Sequence, residues 1–146
     1  MTGSLEDLEK KFILDEDAGL KNIEGAINRI SAVCRLDKTG GVTFMSLSMQ
    51  KKLTVSERTA AILAARYLAS QLQKKLGKEV SISEVVKSSE IANMLREQKN
   101  IIDARLKELK DSKKAILVSK GAYKVAPYSI DDILDSIEQK IGRGDQ

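Results

Sequence analysis

Apolar positions recur at two periods along this chain, and the changes of period mark its elements. Residues 4–14 place Leu5, Leu8 and Phe12 on one helical face, with Ser4 and Asp7 at a box-like capping spacing. Asp15–Gly19 interrupts that face. Leu20, Ile23, Ile27, Ile30 and Cys34 then return at helical spacing and predict a second amphipathic helix of about four turns. Asp37 to Gly41 (DKTGG) is turn chemistry, with Gly40 and Gly41 free to take positive φ. Val42-Thr43-Phe44-Met45 favours a strand by its β-branched and aromatic content. If that strand pairs with Val33–Leu36, the second helix ends earlier.

Thr54 followed by Glu57 has capping-box spacing and opens the longest predicted helix, to about Leu76. Its centre, AAILAARYLA, is apolar on most sides, as in a helix enclosed by others. Gly77 closes it, and Lys74, Lys75 and Lys78 suit the C-terminal end of its dipole. Ser81 and Glu84 repeat the box spacing and predict a short helical turn through Val85 and Val86. Ser88 or Ser89 then caps a segment containing Ile91, Met94 and Leu95.

After a polar break (REQKN), residues 100–112 put Ile102, Leu106 and Leu109 on one face. Asn100, Asp103, Ala104, Lys107, Lys110 and Asp111 lie opposite. Beyond Lys113-Lys114 the helical period becomes an alternating one: Ile116 and Val118, then Tyr123 and Val125, around a Lys120-Gly121 turn. Pro127 ends the second strand. Ser129 and Asp132 cap a last helix whose stripe is Ile130, Ile133, Leu134, Ile137 and Ile141, and the tail after Gly142 is expected to fray.

Composition narrows the class. Of 146 residues, 42% are apolar and only five are aromatic, with one proline, which favours helices over a sandwich. With no histidine and one cysteine, the usual general base, an internal disulfide and a cysteine-based zinc site are all excluded. No signal-peptide pattern opens the chain, and its longest apolar run, Ala60–Ala65, is far shorter than the roughly 20 residues that span a bilayer. The expectation is a cytoplasmic protein that is not an enzyme, without cofactor, metal or small-molecule substrate. Cys34 reads as a small buried hydrophobe. Asp15-Glu16-Asp17 has no cation-loop spacing, and DKTGGVT has no phosphate-loop spacing.

The net charge of +4 hides a division. Lys and Arg against Asp and Glu number 6 to 8 in residues 1–50, 17 to 8 in residues 51–128, and 2 to 5 in residues 129–146. A basic middle between acidic ends predicts three parts: an N-terminal helical and hairpin extension, a central domain and a C-terminal helix. It also suits a polyanionic partner. A recognition helix needs one apolar face for its scaffold and one polar face for the groove. Residues 100–112 meet both conditions. The candidate DNA contacts are Lys99, Asn100, Arg105, Lys107, Lys110, Lys114, Lys120 and Lys124, and Glu97, Asp103, Glu108 and Asp111 dilute them. Ile133, Ile137 and Ile141 are the candidate self-association stripe of a homodimer, unless they pack on their own domain.

The run EIANML, a polar turn, IIDARLKELKDS and AILVSKGAYKVAP resembles the winged helix-turn-helix domains of archaeal and other prokaryotic regulators. Ala104-Arg105-Leu106 with Leu109, and Gly121-Ala122-Tyr123, carry the similarity most closely. It covers about 40 residues, or residues 54–127 if the long helix is the domain's first. The resemblance implies a mainly α fold with a small β-hairpin wing at 115–126 and a recognition helix at 100–112. It further implies duplex DNA as partner, as for a transcriptional regulator or chromosome-associated (nucleoid) factor. The turn departs from the pattern in lacking its usual glycine. A winged helix used for protein assembly and an RNA-binding protein remain the alternatives, the latter disfavoured by the few aromatics.

Overall fold

In the computed structural model, Leu5 and residues 22–142 are described; the features expected at residues 4–14, at Asp15–Gly19 and after Gly142 otherwise lie outside them. Among the described residues, six α-helices and five short strands follow in order. They are α1 (Ile23–Ser31), β1 (Cys34–Leu36), β2 (Val42–Phe44), α2 (Leu47–Lys52), α3 (Val55–Lys75) and β3 (Val86–Lys87). Then come α4 (Ser88–Leu95), α5 (Lys99–Asp111), β4 (Ala115–Ser119), β5 (Ala122–Val125), a 3-10 turn (Pro127–Ser129) and α6 (Ile130–Lys140). The fold is mainly helical, with one two-stranded and one three-stranded antiparallel sheet.

α3 is the axis. The Thr54 hydroxyl accepts from the Glu57 N–H at 3.1 Å and the Glu57 carboxylate accepts from the Thr54 N–H at 2.8 Å, so the predicted capping box forms. Every residue from Thr59 to Leu68 is buried, because α1, α5, α6 and strands of both sheets pack around the helix. Gly77 closes it at φ +71°. One hydrophobic cluster runs from Ala26, Ile30 and Phe44 through Leu63 and Leu106 to Ile137. The boundaries expected at residues 50 and 128 therefore do not separate cores.

α1 ends at Ser31, and Cys34 pairs with Phe44 in β1–β2, so the earlier of the two helix ends is the observed one. Asp37 closes that hairpin: its carboxylate accepts from the Thr39 and Gly41 N–H groups, both at 2.9 Å, and from the Thr39 hydroxyl at 2.7 Å. Those bonds, the Thr39 hydroxyl first, hold the Asp37 carboxyl below its ordinary range. α2, capped by Ser46 onto Met49, has no buried residue and no apolar stripe that would have announced it.

Residues 81–86 are not a helical turn. The Gln73 side-chain oxygen accepts from the Ser81 and Ile82 N–H groups, both at 3.0 Å, and the segment runs irregularly, with bends at Ile82 and Glu84. Val86–Lys87 then pairs with β5, giving the sheet order β3-β5-β4. Neither Ser88 nor Ser89 caps α4; Lys87 holds that position, and the Glu90 carboxylate accepts its N–H at 3.2 Å. The Ser129 hydroxyl does not cap α6 either, because it donates to the Ala126 carbonyl at 2.7 Å.

One side chain ties the hairpin, the 81–85 segment and α4 to the axis. Arg66, 4% exposed on α3, donates from Nε to the Ser83 carbonyl at 2.8 Å. Its Nη1 donates to the Gly40 carbonyl at 3.2 Å and to the Glu90 carboxylate at 3.3 Å. Gly40 is required twice over: its φ is +94°, and a Cβ there would lie 3.0 Å from Arg66 Nε. Replacing Arg66 by leucine takes from the Gly40 and Ser83 carbonyls and the Glu90 carboxylate the donor they share. Urea denaturation of Arg66→Leu should show a loss of about 3 kcal/mol. A loss under about 1 kcal/mol would mean that this guanidinium is not the tie.

Candidate nucleic-acid interface

α5 separates its two faces sharply. Ile102 and Leu106 are 0% exposed and Leu109 5%, fixing the helix against α3. Asn100, Ala104, Lys107 and Asp111 follow one another at intervals of three to four residues along the opposite, exposed line, flanked by Glu108 and Lys110. The corner before it turns without glycine. Arg96 takes the left-handed conformation at φ +55°, and the Arg96 and Glu97 N–H groups both reach the Ala92 carbonyl. Three residues, Arg96 to Gln98, suffice between α4 and α5.

The acidic residues on α5 are partly spent within the protein. Lys99 Nζ donates to the Asp103 carboxylate at 3.0 Å. The hydrogen bond from Lys99 first, and then that from buried Ser88 at the start of α4, hold the Asp103 carboxyl below its ordinary range. Asp103 is thus drawn towards α4. Arg105 Nη1 donates to Glu108 at 3.1 Å, while its Nε is buried without a hydrogen-bond partner. Among the described residues no ion pair engages Lys107 or Lys110.

The remaining candidates lie on the β4–β5 hairpin. Its turn places Gly121 at φ +73° and leaves Lys120 exposed. Lys124 is half-buried and sits 3.9 Å from the Glu84 carboxylate, a surface already engaged. Lys114 is half-buried at the base of β4, where its carbonyl accepts from the Ala126 N–H. The strand faces differ from the simple alternation expected. An irregularity between Leu117 and Ser119 breaks the register, and Leu117 and Val118 are 42% and 48% exposed. α5 therefore gathers Lys99, Asn100, Arg105, Lys107 and Lys110 on one element, with Lys120 on the hairpin tip and Lys114 and Lys124 lower on its strands.

The proposed self-association stripe is corrected. Ile133 and Ile137 are 3% and 1% exposed within the chain's own core, and Ile141 packs against it. An amphipathic stripe alone does not distinguish a partner from the rest of the same domain. The outer side of α6 is acidic instead, and it holds Arg29 of α1. That guanidinium donates to both Glu138 carboxylate oxygens, at 2.8 and 3.1 Å, and to Asp135 at 2.6 Å. These bonds, Glu138 first, push the Arg29 pKa up.

Burial pushes the Cys34 thiol up to about 12, so it holds almost no thiolate at neutral pH. Among the described residues no cluster of acidic or cysteine side chains could hold a metal ion, and no helix is long and apolar enough to cross a membrane. Comparison with protein-family models, with curated proteins and with solved structures found no match.

The Asp103 contacts generate a pH prediction with a definite sign. The folded carboxyl titrates below the unfolded value of about 3.9. Its contribution to stability is therefore complete above that value and lost as pH falls through the folded one. Carboxyl NMR titration should place Asp103 below the ordinary range, and Lys99→Met should move it upward. An Asp103 value unmoved by Lys99→Met would show that the Lys99 bond is not the cause.

Proposed function

We propose that the chain is a non-enzymatic, winged helix-turn-helix protein that binds duplex DNA, as a transcriptional regulator or chromosome-associated factor. The order α3, β3, α4, α5, β4, β5 with the sheet β3-β5-β4 supports the winged-helix reading, since a wing needs its hairpin tied to a short strand beside the first helix. The observation that carries DNA contact is the division of α5. Ile102, Leu106 and Leu109 on its apolar side are buried, while Asn100, Ala104, Lys107 and Lys110 are exposed. Such a helix enters a major groove with Asn100 and Lys107 near base edges and Lys110 and Lys99 near phosphates. Ala104 lets the helix approach closely. Lys120 at the hairpin tip takes the backbone beside it.

The ion pairs on this face do not oppose the reading. Lys99–Asp103 and Arg105–Glu108 are exposed pairs of the kind worth well under about 1 kcal/mol, and their cations can exchange a carboxylate for a phosphate. One observation favours a second reading, a protein-assembly module: Leu117 and Val118 stand exposed on the wing, where a DNA backbone gives apolar side chains no partner.

Fluorescence anisotropy with a duplex across a salt series separates the two. Affinity should fall steeply as salt rises, because each phosphate contact contributes about 0.9 to the slope of log K against log salt. Lys107→Glu with Lys120→Glu should remove most of the binding, and Leu117→Ser with Val118→Ser should leave it within about twofold. No duplex binding at low salt would overturn the DNA reading in favour of assembly.

A further inference from the structure

A groove of about 350 Å³ opens beside the α4–α5 corner. Val42 and Phe44 of β2, Leu47 of α2, and Met94, Leu95 and Arg96 at the end of α4 line it. The volume falls within the roughly 300–1,000 Å³ of clefts that hold small ligands, space for a few side chains. α2 buries none of its residues, so its leucine does not serve the core. Leu47 is instead 72% exposed, and Met45, which follows β2, is 47% exposed. Met49 of α2 and Met94 are half-buried. Methionine is unbranched and polarizable, and it repacks readily against different apolar partners.

The charges at this groove have one sign. Arg96 is exposed in the lining, and Lys51 and Lys52 are exposed in the last turn of α2, Lys51 one helical turn on from Leu47. Among the described residues no ion pair engages any of the three. No carboxylate lines the groove, and Glu97, next to Arg96, is half-buried outside the lining. We propose that the groove receives a short, acidic, amphipathic helix of a partner protein. Its large apolar side chains pack against Phe44, Leu47 and Met94, and its carboxylates meet Arg96, Lys51 and Lys52. Apolar contact supplies most of the affinity, and the basic side chains select an acidic helix over a neutral or basic one. No residue of α5 lines the groove, so the docking does not depend on the DNA reading.

A synthetic helical peptide with Leu and Phe at i, i+4 and i+7 and Glu on its other face serves as the probe. It is titrated into the full chain and read by methionine ε-methyl NMR. The Met94 and Met45 signals should move first. A copy with Gln for Glu should bind about tenfold more weakly, and a copy with Ser for its apolar residues should leave Met94 unmoved. Leu47→Glu, at an exposed position, should weaken the probe about tenfold. Arg96→Glu with Lys51→Glu and Lys52→Glu should reverse the preference, so that a copy with Lys for Glu binds better than the probe. A Met94 signal unmoved at about 1 mM probe would overturn the proposal, as would equal binding of the Glu and Lys copies to the unaltered chain. Shifts confined to the amides of α5 would also overturn it, since the probe would then be held by that helix alone. So would Met94 shifts that grow with protein concentration before any probe is added, which would assign the groove to a second copy.

Discussion

A single guanidinium inside the most apolar helix holds this fold in its working shape. Arg66 projects from the middle of α3 and ends on the Gly40 carbonyl, the Ser83 carbonyl and the Glu90 carboxylate. The guanidinium, on a residue 4% exposed, could not be buried cheaply without those acceptors. The hydrophobic cluster supplies the bulk of the stabilisation, but it is non-directional and would tolerate the β1–β2 hairpin and the 81–85 segment in several positions. The Arg66 bonds select one. Glu90 carries the constraint onward, because its other oxygen takes the Lys87 N–H and so fixes where α4 begins. From there the orientation of α4, the left-handed corner at Arg96 and the aim of α5 follow.

The same logic explains why the acidic residues near the candidate interface do not cancel it. Charge on this chain is used in two ways. Arg29 with Asp135 and Glu138, and Arg66 with Glu90, join elements distant in sequence and are part of the architecture. Asp103 belongs with them in part, since Ser88 of α4 hydrogen-bonds it while Lys99 pairs with it along α5. Among the described residues, no ion pair engages Lys107, Lys110 or Lys120. They stand exposed on the outward side of α5 and on the hairpin tip.

What the sequence made legible was whatever is decided locally. The capping box at Thr54 and Glu57, the stripe of Ile102, Leu106 and Leu109, and the hairpin turn at Lys120-Gly121 each lie within a few residues and form as read. β3 did not show, because two residues carry no period and its extended shape is imposed by pairing with β5. The role of Arg66 did not show either, since its partners lie 26, 17 and 24 residues away. An arginine inside AAILAARYLA was the available signal: a charge enclosed on a helix buried all round must find buried acceptors. Ile133 and Ile137 read correctly as an apolar face, but only the packing reveals that α3 and α1 cover it. For the candidate interface, the outward residues of α5 were legible from their spacing; which cations are already engaged, as Lys124 is with Glu84, depends on the tertiary packing.

The central claim is that the outward line of α5 meets DNA. Amide chemical-shift mapping on titration with a short duplex tests it most directly, because it reports where contact occurs without altering a residue. The account predicts the first and largest shifts at Asn100, Ala104, Lys107 and Lys120, with Asp131, Asp132 and Asp135 on the acidic face of α6 unmoved. Shifts that leave α5 untouched and gather on another surface would contradict it.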